Sequence, residues 1–596
     1  MTGKPPARLI AALILIPFLF LFFFYLFYQE EHTKRPEQLA VTTAGYVEMC
    51  LSCHQEVHLD KAHDGQVVGC SPCHLGDAMA VDKDAAHAGM VLNPGDLRVV
   101  EKTCGIEGCH PADPHRVKNS LMATNRGILS TLLYYWGERD TQNSDVTVEQ
   151  LIKSGDTSLA LDYFRKLCAT CHLWKQKNDL PGAPAFFNQK GGGCSACHAI
   201  QPQQLQGGKT DIFGIADDEE AGLTGQEKGK KPHPLIIRKI PEEQCIRCHN
   251  RSGRIGISYT GIFESEGYGT PYEKGHLSSQ RLPGDRFYLK IAEDIHHKKG
   301  MACIDCHTRE EIMGDGTSYA HYEEQLEISC RMCHSPAPGT TRKGRKLNNL
   351  EEKDGRAVLR GKVNGRTYPL REPDPKSCLY PGHKRLTCES CHSTWVPQCY
   401  GCHAKLDKRE THLDKLTLKE TPGWWEEGRS YIRYEKPMLA VWEDRVVIVT
   451  PGCQDMVTLI DEKGKIEGGF NRFTMAAINP HTTQARGRTC ADCHSSPKTI
   501  GLGEGTVVKK DGTWHFVPVD QGVETLQGRT VGLDNFVTID GKPLQKGSRK
   551  NLRPFNGQEL RRILRVGLCL RCHATITDPA YRDYDPGRPC PVYQEP

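Results

Sequence analysis

Cysteine and histidine carry the recognisable chemistry of this sequence. The pentapeptide Cys-x-x-Cys-His occurs eleven times: Cys50, Cys53 and His54; Cys70, Cys73 and His74; Cys168, Cys171 and His172; Cys194, Cys197 and His198; Cys245, Cys248 and His249; Cys303, Cys306 and His307; Cys330, Cys333 and His334; Cys388, Cys391 and His392; Cys399, Cys402 and His403; Cys490, Cys493 and His494; Cys569, Cys572 and His573. Two thiols at this spacing can each form a thioether to one vinyl group of the same porphyrin, which places the next residue beneath the iron. A histidine there supplies the proximal nitrogen ligand. Zinc ribbons and redox dithiols share the cysteine spacing, but neither requires a histidine after every pair. The set reads as c-type haem attachment sites.

A further copy is altered. In the stretch KTCGIEGCHPADPH, four residues separate Cys104 from Cys109, and His110 follows at once. The longer bridge must bulge, and Gly105 and Gly108 tolerate the backbone angles a bulge needs. In motif alone the stretch is similar to the Cys-x4-Cys-His variant of small tetrahaem cytochromes. The expectation is twelve covalently bound haem c groups, or eleven if Cys104 and Cys109 are not a site. Of the 27 cysteines, Cys378, Cys453 and Cys590 are then left over. The Cys378 sulfur could approach an iron, lie as an inert thiol, or pair with Cys453 or Cys590.

The histidines nearly match this count. Of 26 in the chain, twelve are proximal candidates: His54, His74, His110, His172, His198, His249, His307, His334, His392, His403, His494 and His573. Setting aside His32, beside the apolar N-terminus, and one of the neighbours His296 and His297 leaves twelve candidate distal ligands. These are His58, His63, His87, His115, His233, His276, His297, His321, His383, His412, His481 and His515. A second histidine closes the iron to substrate and favours a low-potential electron-transfer centre, whereas methionine raises the potential. With 11 methionines in total, one of them the initiator, methionine is not the main second ligand.

The elements that must position these groups are less regular. Only 38% of the 596 residues are hydrophobic, and 58 glycines with 36 prolines indicate many loops, so something besides aliphatic side chains must fill the interior. The net charge of +4, from 77 basic and 73 acidic residues without long blocks of either, gives no nucleic-acid footprint. Residues 9–28 are free of charge and long enough for one bilayer crossing, with Lys4 and Arg8 before them and Glu30 and Glu31 after. This predicts a retained single-pass anchor rather than a cleaved signal peptide, with the haem domain in the periplasm and the cytoplasmic membrane as one partner.

The attachment motifs then cluster. The predicted divisions are an anchor (1–30), a three-haem segment (31–120), a helical brace with three haems (121–260), a four-haem segment (261–412), a β-rich insertion (413–488) and a two-haem C-terminal segment with hairpins (489–596). SLMATNRGILSTLLYYWGE and SLALDYFRKLC carry helical apolar spacing. MLAVWEDRVVIVT, MVTLIDEKGKIEGGF, GTVVKKDGTWHFVPV and FVTIDGKPL read as strands around tight turns. The expected fold class is mostly α and irregular, packed around haems, with a small β insertion and one N-terminal transmembrane helix.

With these motifs laid out, the chain resembles the periplasmic multihaem cytochromes c of anaerobically respiring bacteria. Locally, DIHHKKGMACIDCHT resembles the haem-binding segments of octahaem tetrathionate reductase and hydroxylamine oxidoreductase-related cytochromes. That likeness implies that His297 or His296 caps one haem while Cys303, Cys306 and His307 hold another. No motif ends in lysine, unlike the catalytic Cys-x-x-Cys-Lys of ammonia-forming nitrite reductases. The resemblance implies an electron carrier linking the cytoplasmic-membrane respiratory chain to periplasmic or outer-membrane acceptors, with a quinol dehydrogenase and other cytochromes as partners. The alternatives are an oxidoreductase acting on a nitrogen or sulfur oxyanion at one open haem, and a haem subunit of a larger respiratory complex.

Overall fold

The computed structural model describes residues 17–25, 40–54, 57, 59–201, 233–250, 255–264, 280–282, 286–519, 522–525, 528 and 530–582. Those beyond residue 39 fall into two compact units. One comprises the described residues of 40–114, 192–201 and 233–238, the other those of 115–191 and 239–582.

The smaller unit is built from short helices joined by turns, among them Cys50–Cys53, Ser71–His74, Lys83–His87 and Ser195–His198. Three of these carry attachment motifs. The segment from residue 192 is tied to the earlier chain by backbone pairing, the Cys194 N–H donating to the Gly95 carbonyl at 2.8 Å. Glycine is required at this crossing, because Gly193 has φ +59° and a Cβ there would meet the Gly95 oxygen at 1.9 Å.

In the larger unit the expected brace is helical. Leu121–Thr124 and Arg126–Tyr135 are separated by Asn125, which adopts φ +52°. Leu159–Tyr163 runs into a wide helical turn, Phe164–Cys168, that delivers the first cysteine of a motif. The strands extend well beyond an insertion. Val396–Asp414 and Lys419–Glu435 form a long antiparallel ribbon, extended by Asp455–Ile460 running parallel to the first strand and then Ile466–Arg472. A second four-stranded sheet joins Met438–Trp442, Arg445–Pro451, Thr474–Ala477 and Lys546–Gly547. Its core holds Leu439, Val441, Val446 and Ile448 against Leu560 and Leu564. Those two leucines come from the helix Gly557–Cys569, whose N-terminus is closed by reciprocal bonds between Asn556 and Glu559 and whose last residue is an attachment cysteine.

The fold class expected from sequence is therefore corrected. The longest of the helices in these two units has 13 residues, whereas the ribbon strands have 19 and 17, and the described strands make eight sheets rather than one small insertion. Strands outside 413–488 include Arg286–Lys290 (RFYLK), Arg356–Arg360 (RAVLR) and Thr367–Pro369 (TYP), which are too short to show a period but carry residues that favour extended backbone. The transmembrane helix is also corrected. Among the described residues no helix is long and apolar enough to cross a membrane. Of the anchor expected over 9–28, residues 17–25 are helical, against about twenty needed for a crossing; residues 9–16 and 26–28 lie outside the described residues. The single-pass localisation resting on that anchor falls with it.

Candidate functional site

Most attachment motifs sit on one short helical turn. Cys303–Cys306, Cys388–His392 and Cys490–His494 are helices of four or five residues, and Cys330–Met332 is a single tight turn. Thr387 and Thr489 close two of them by accepting a backbone N–H from Ser390 and Asp492. A helical turn keeps both thiols and the following histidine close together, the arrangement one porphyrin requires.

The histidines then meet in pairs. His54 faces His87 with ring centres 6.0 Å apart, His110 faces His63 at 6.3 Å, and His74 faces His233 at 5.9 Å. In the larger unit His334 faces His296 at 6.2 Å, His307 faces His481 at 6.2 Å, and His494 faces His383 at 6.1 Å. Each pair joins the histidine of one attachment motif to a histidine from outside the motifs. The spacing stays within a few tenths of an ångström while the angle between ring planes runs from 12° to 89°. The other ring contacts in the molecule spread more widely, from 4.4 Å for His412 on Trp424 to 6.4 Å for Phe22 on Phe23, so it is the narrow spacing together with the motif membership that sets the six pairs apart. Two imidazoles bonded to opposite sides of one metal at about 2 Å from each nitrogen have centres about 6 Å apart. The residues fit a haem iron held from both faces.

The outer nitrogens of these rings are held in place. Nδ1–H donates to a backbone carbonyl in His74 (Val91, 2.7 Å), His87 (Lys83, 2.6 Å), His233 (Pro234, 2.7 Å), His334 (Arg371, 2.7 Å), His481 (Asn479, 3.0 Å) and His494 (Ile563, 2.9 Å). Carboxylates take the same place at His63 (Asp60, 2.8 Å), His296 (Asp294, 2.8 Å) and His307 (Glu311, 3.0 Å), and more loosely at His110 (Asp113, 3.6 Å). Fixing Nδ1 in this way orients Nε2 and selects the tautomer that binds a metal. Burial, the leading cause in each case, also holds His74, His383, His481 and His494 below the usual histidine range, favouring the neutral imidazole an iron needs.

Successive motifs are neighbours. In the smaller unit burial pushes Cys70 up to about 12, with Glu48 and then Cys50 adding to it. Burial likewise takes Cys73 up to about 11, with Cys104 and Cys109 next in effect, and Cys194 up to about 12, with Cys104 next. In the larger unit a hydrogen bond with Cys245 lowers Cys303, burial and then Cys333 push Cys306 up to about 12, and Cys388 followed by burial raises Cys330. Burial raises Cys493, and the Cys391 thiol adds to that shift.

The altered motif behaves like its neighbours. His110 N–H closes the loop on the Cys104 carbonyl at 3.0 Å, and Gly108 supplies φ +84°. A Cβ on Gly105 would meet the Pro114 ring at 2.5 Å, so packing as well as conformation calls for glycine there. Cys399, Cys402 and His403 differ. They lie in the long strand Val396–Asp414, with Cys399 packed on Phe263, Trp395 and Ile432, while Cys402 Sγ is 3.0 Å from Glu427 Oε1. The two thiols sit in different surroundings, and as folded this motif does not fit one porphyrin.

Several candidate distal ligands are placed elsewhere. His297 is bound on both nitrogens, by Glu293 at 2.6 Å and Glu242 at 3.3 Å; the Glu242 bond leads in raising it to about 9. The ring facing His334 is its neighbour His296, absent from the twelve counted candidates but kept open as the alternative to His297 by the resemblance of DIHHKKGMACIDCHT. His321 donates from Nε2 to the Gln142 carbonyl at 2.8 Å, His412 stacks on Trp424, and His515 lies in the hairpin strand Thr513–Pro518. His115 packs against Gly316 and bonds Asn119. His58 and His276 lie outside the described residues, as does Cys590. His198 and His392 donate from Nδ1 to the carbonyls of Ile237 and Gln484, His573 bonds Asp578 at 3.0 Å, and His172 is buried.

Among the described residues, no group of three or more His, Cys, Asp or Glu could hold a metal ion by itself. The expected metal binding is corrected to that extent: a metal held by side chains alone is not part of the described structure, while a haem iron needs only two protein ligands. No family model, curated protein or solved structure matches the chain.

Proposed function

We propose that the chain is a multihaem c-type cytochrome that passes electrons between other redox proteins. The observation that carries this reading is the set of six facing imidazole pairs, each joining an attachment-motif histidine to a second histidine at about 6 Å. Haem c supplies one-electron exchange at its iron when bound. The chain's own part is to anchor, orient and shield. Cysteine pairs on single helical turns would hold the porphyrin edge, and paired imidazoles would hold the iron from both sides. Nδ1 acceptors would fix the rings. Two neutral nitrogen ligands leave no position for a substrate at these six sites, which favours electron transfer over catalysis.

Neighbouring motifs support the same reading, because electron exchange requires centres that lie close together. In the smaller unit the succession runs through the motifs starting at Cys50, Cys70, Cys104 and Cys194; in the larger it runs through those starting at Cys245, Cys303, Cys330, Cys388 and Cys490.

Intact mass under denaturing conditions, with the visible spectrum of the reduced protein, tests the reading. Covalent haem additions and a low-spin c-type spectrum are expected. A chain expressed with the haem-attachment machinery that carries no covalent haem would overturn it.

A further inference from the structure

The Nδ1 acceptors are not alike, and the difference bears on the order of potentials. Around His307 the carboxylate of Glu311 is fully buried. It accepts from His307 Nδ1 at 3.0 Å, from the Thr308 N–H at 3.1 Å, and from the backbone N–H groups of Glu327 and Ile328. The local sequence explains its position: Thr308 and Glu311 close the N-terminus of the helix Arg309–Met313 reciprocally, so the capping carboxylate also reaches the histidine preceding the cap.

Around His296, Asp294 is likewise buried. It caps Ile295–Lys298 and accepts from His296 Nδ1 at 2.8 Å, while its second oxygen accepts the Thr483 N–H at 2.7 Å. His307 and His334, the partner of His296, belong to neighbouring motifs, since the Cys333 thiol is among the groups that raise Cys306. Elsewhere the acceptor is a neutral carbonyl, as at His74, His233 and His494, or a carboxylate that is open to water, as at His63 (Asp60, 42% exposed) and His573 (Asp578, 25% exposed), or beyond hydrogen-bond reach, as at His110 (Asp113, 3.6 Å).

We propose that Glu311 and Asp294 are positioning residues that make the sites at His307 and His334 the low-potential pair of the larger unit. The inference rests on the haem reading above. A buried anion accepting the Nδ1 proton gives the imidazole partial imidazolate character, a stronger donor that favours the oxidised iron. A carbonyl does this less, and an exposed carboxylate is screened by water. The Lys362 ammonium, 2.6 Å from the Ile304 carbonyl and 3.5 Å from the His307 carbonyl, acts in the opposite direction and is left in place in every variant.

The test is a spectroelectrochemical titration of the full-length haem-loaded protein with Glu311→Gln and Asp294→Asn. Each replacement keeps one acceptor oxygen, enough for the imidazole and the helix cap, which share one oxygen, and gives up the acceptor for Glu327 and Ile328 or for Thr483. Each should move one low-potential component upward, with the remaining components unchanged and the low-spin signals retained. Glu311→Asp, which keeps the charge, should restore most of the original value. Glu327→Gln is the control, because Glu327 is equally buried but bonds Thr308, Thr341 and Arg345 rather than an imidazole. If Glu327→Gln moves the same component as far, or if neither Glu311→Gln nor Asp294→Asn moves any, the proposal fails while the haem reading stands. Absence of haem in the wild type would sink the haem reading itself.

Discussion

Two adjacent histidines show how finely the fold separates side chains of the same chemistry. His296 and His297 have the same chemistry, but the short helix Ile295–Lys298 directs one ring to His334 and the other into the carboxylates of Glu293 and Glu242. Replacing His296 with Ala should convert one low-spin ferric centre to high spin in electron paramagnetic resonance, while His297→Ala leaves the count of low-spin centres unchanged. The opposite pattern would reverse the assignment. At Cys104 and Cys109, substitution of both by Ala should lower the intact mass by one haem; an unchanged mass would remove that site. The cysteine motifs could be named from the sequence because their spacing is local. The pairing of each outer histidine with its motif could not, since His74 meets His233 and His307 meets His481 only through the tertiary fold.

Secondary-structure elements were legible where turn chemistry is strict. Asp511 and Gly512 both take positive φ between the paired strands Gly505–Lys510 and Thr513–Pro518, and Glu443 with Asp444 do the same between Met438–Trp442 and Arg445–Pro451. The ribbon strand Val396–Asp414 was missed because its first residues spell an attachment motif, which masks the alternation. Two predictions belong at this scale. Leu560 is fully buried where the C-terminal helix meets the second sheet, so Leu560→Ala should cost about 2–5 kcal/mol in denaturant unfolding, with loosening of the segment that carries Cys569.

The second concerns Asp455, opposite Cys402 in the parallel pairing. Burial raises its carboxyl to about 6, opposed by the hydrogen bond from Trp136 Nε1 at 2.7 Å and reinforced by Glu427. A folded-state value above the unfolded one means stability is fullest below about 3.8 and falls as pH rises through about 6. Asp455→Asn keeps the acceptor for Trp136 and removes the charge. It should raise stability at pH 7 by up to about 3 kcal/mol and flatten the pH dependence between about 4 and 6. A variant less stable than wild type at pH 7 would contradict this.

For the whole molecule, composition indicated an interior short of aliphatic side chains, and the structure shows where that holds. The second sheet has two largely aliphatic cores and the ribbon packs Ile432 with Phe263 and Trp395, whereas the smaller unit is made of brief helices and turns around cysteine and histidine. Haem removal should therefore unfold the smaller unit first, with hydrogen exchange protection persisting in Met438–Trp442 and Arg445–Pro451; uniform loss across both units would refute this.

The planes of five of the six facing pairs fall into two classes. They are nearly crossed in His54 with His87 and His74 with His233, at 83° and 89°. They are nearly parallel in His63 with His110, His307 with His481 and His383 with His494, at 19°, 12° and 29°, while His296 with His334 stands between at 51°. In low-spin ferric iron between two imidazoles, crossed rings donate equally to the two d orbitals of π symmetry and leave them nearly degenerate. Parallel rings split them. The oxidised protein should thus show two magnetic populations, one with a single strongly anisotropic feature and one with three resolved features. Substitution of His87 or His233 should delete a signal from the first population, and of His63, His383 or His481 one from the second.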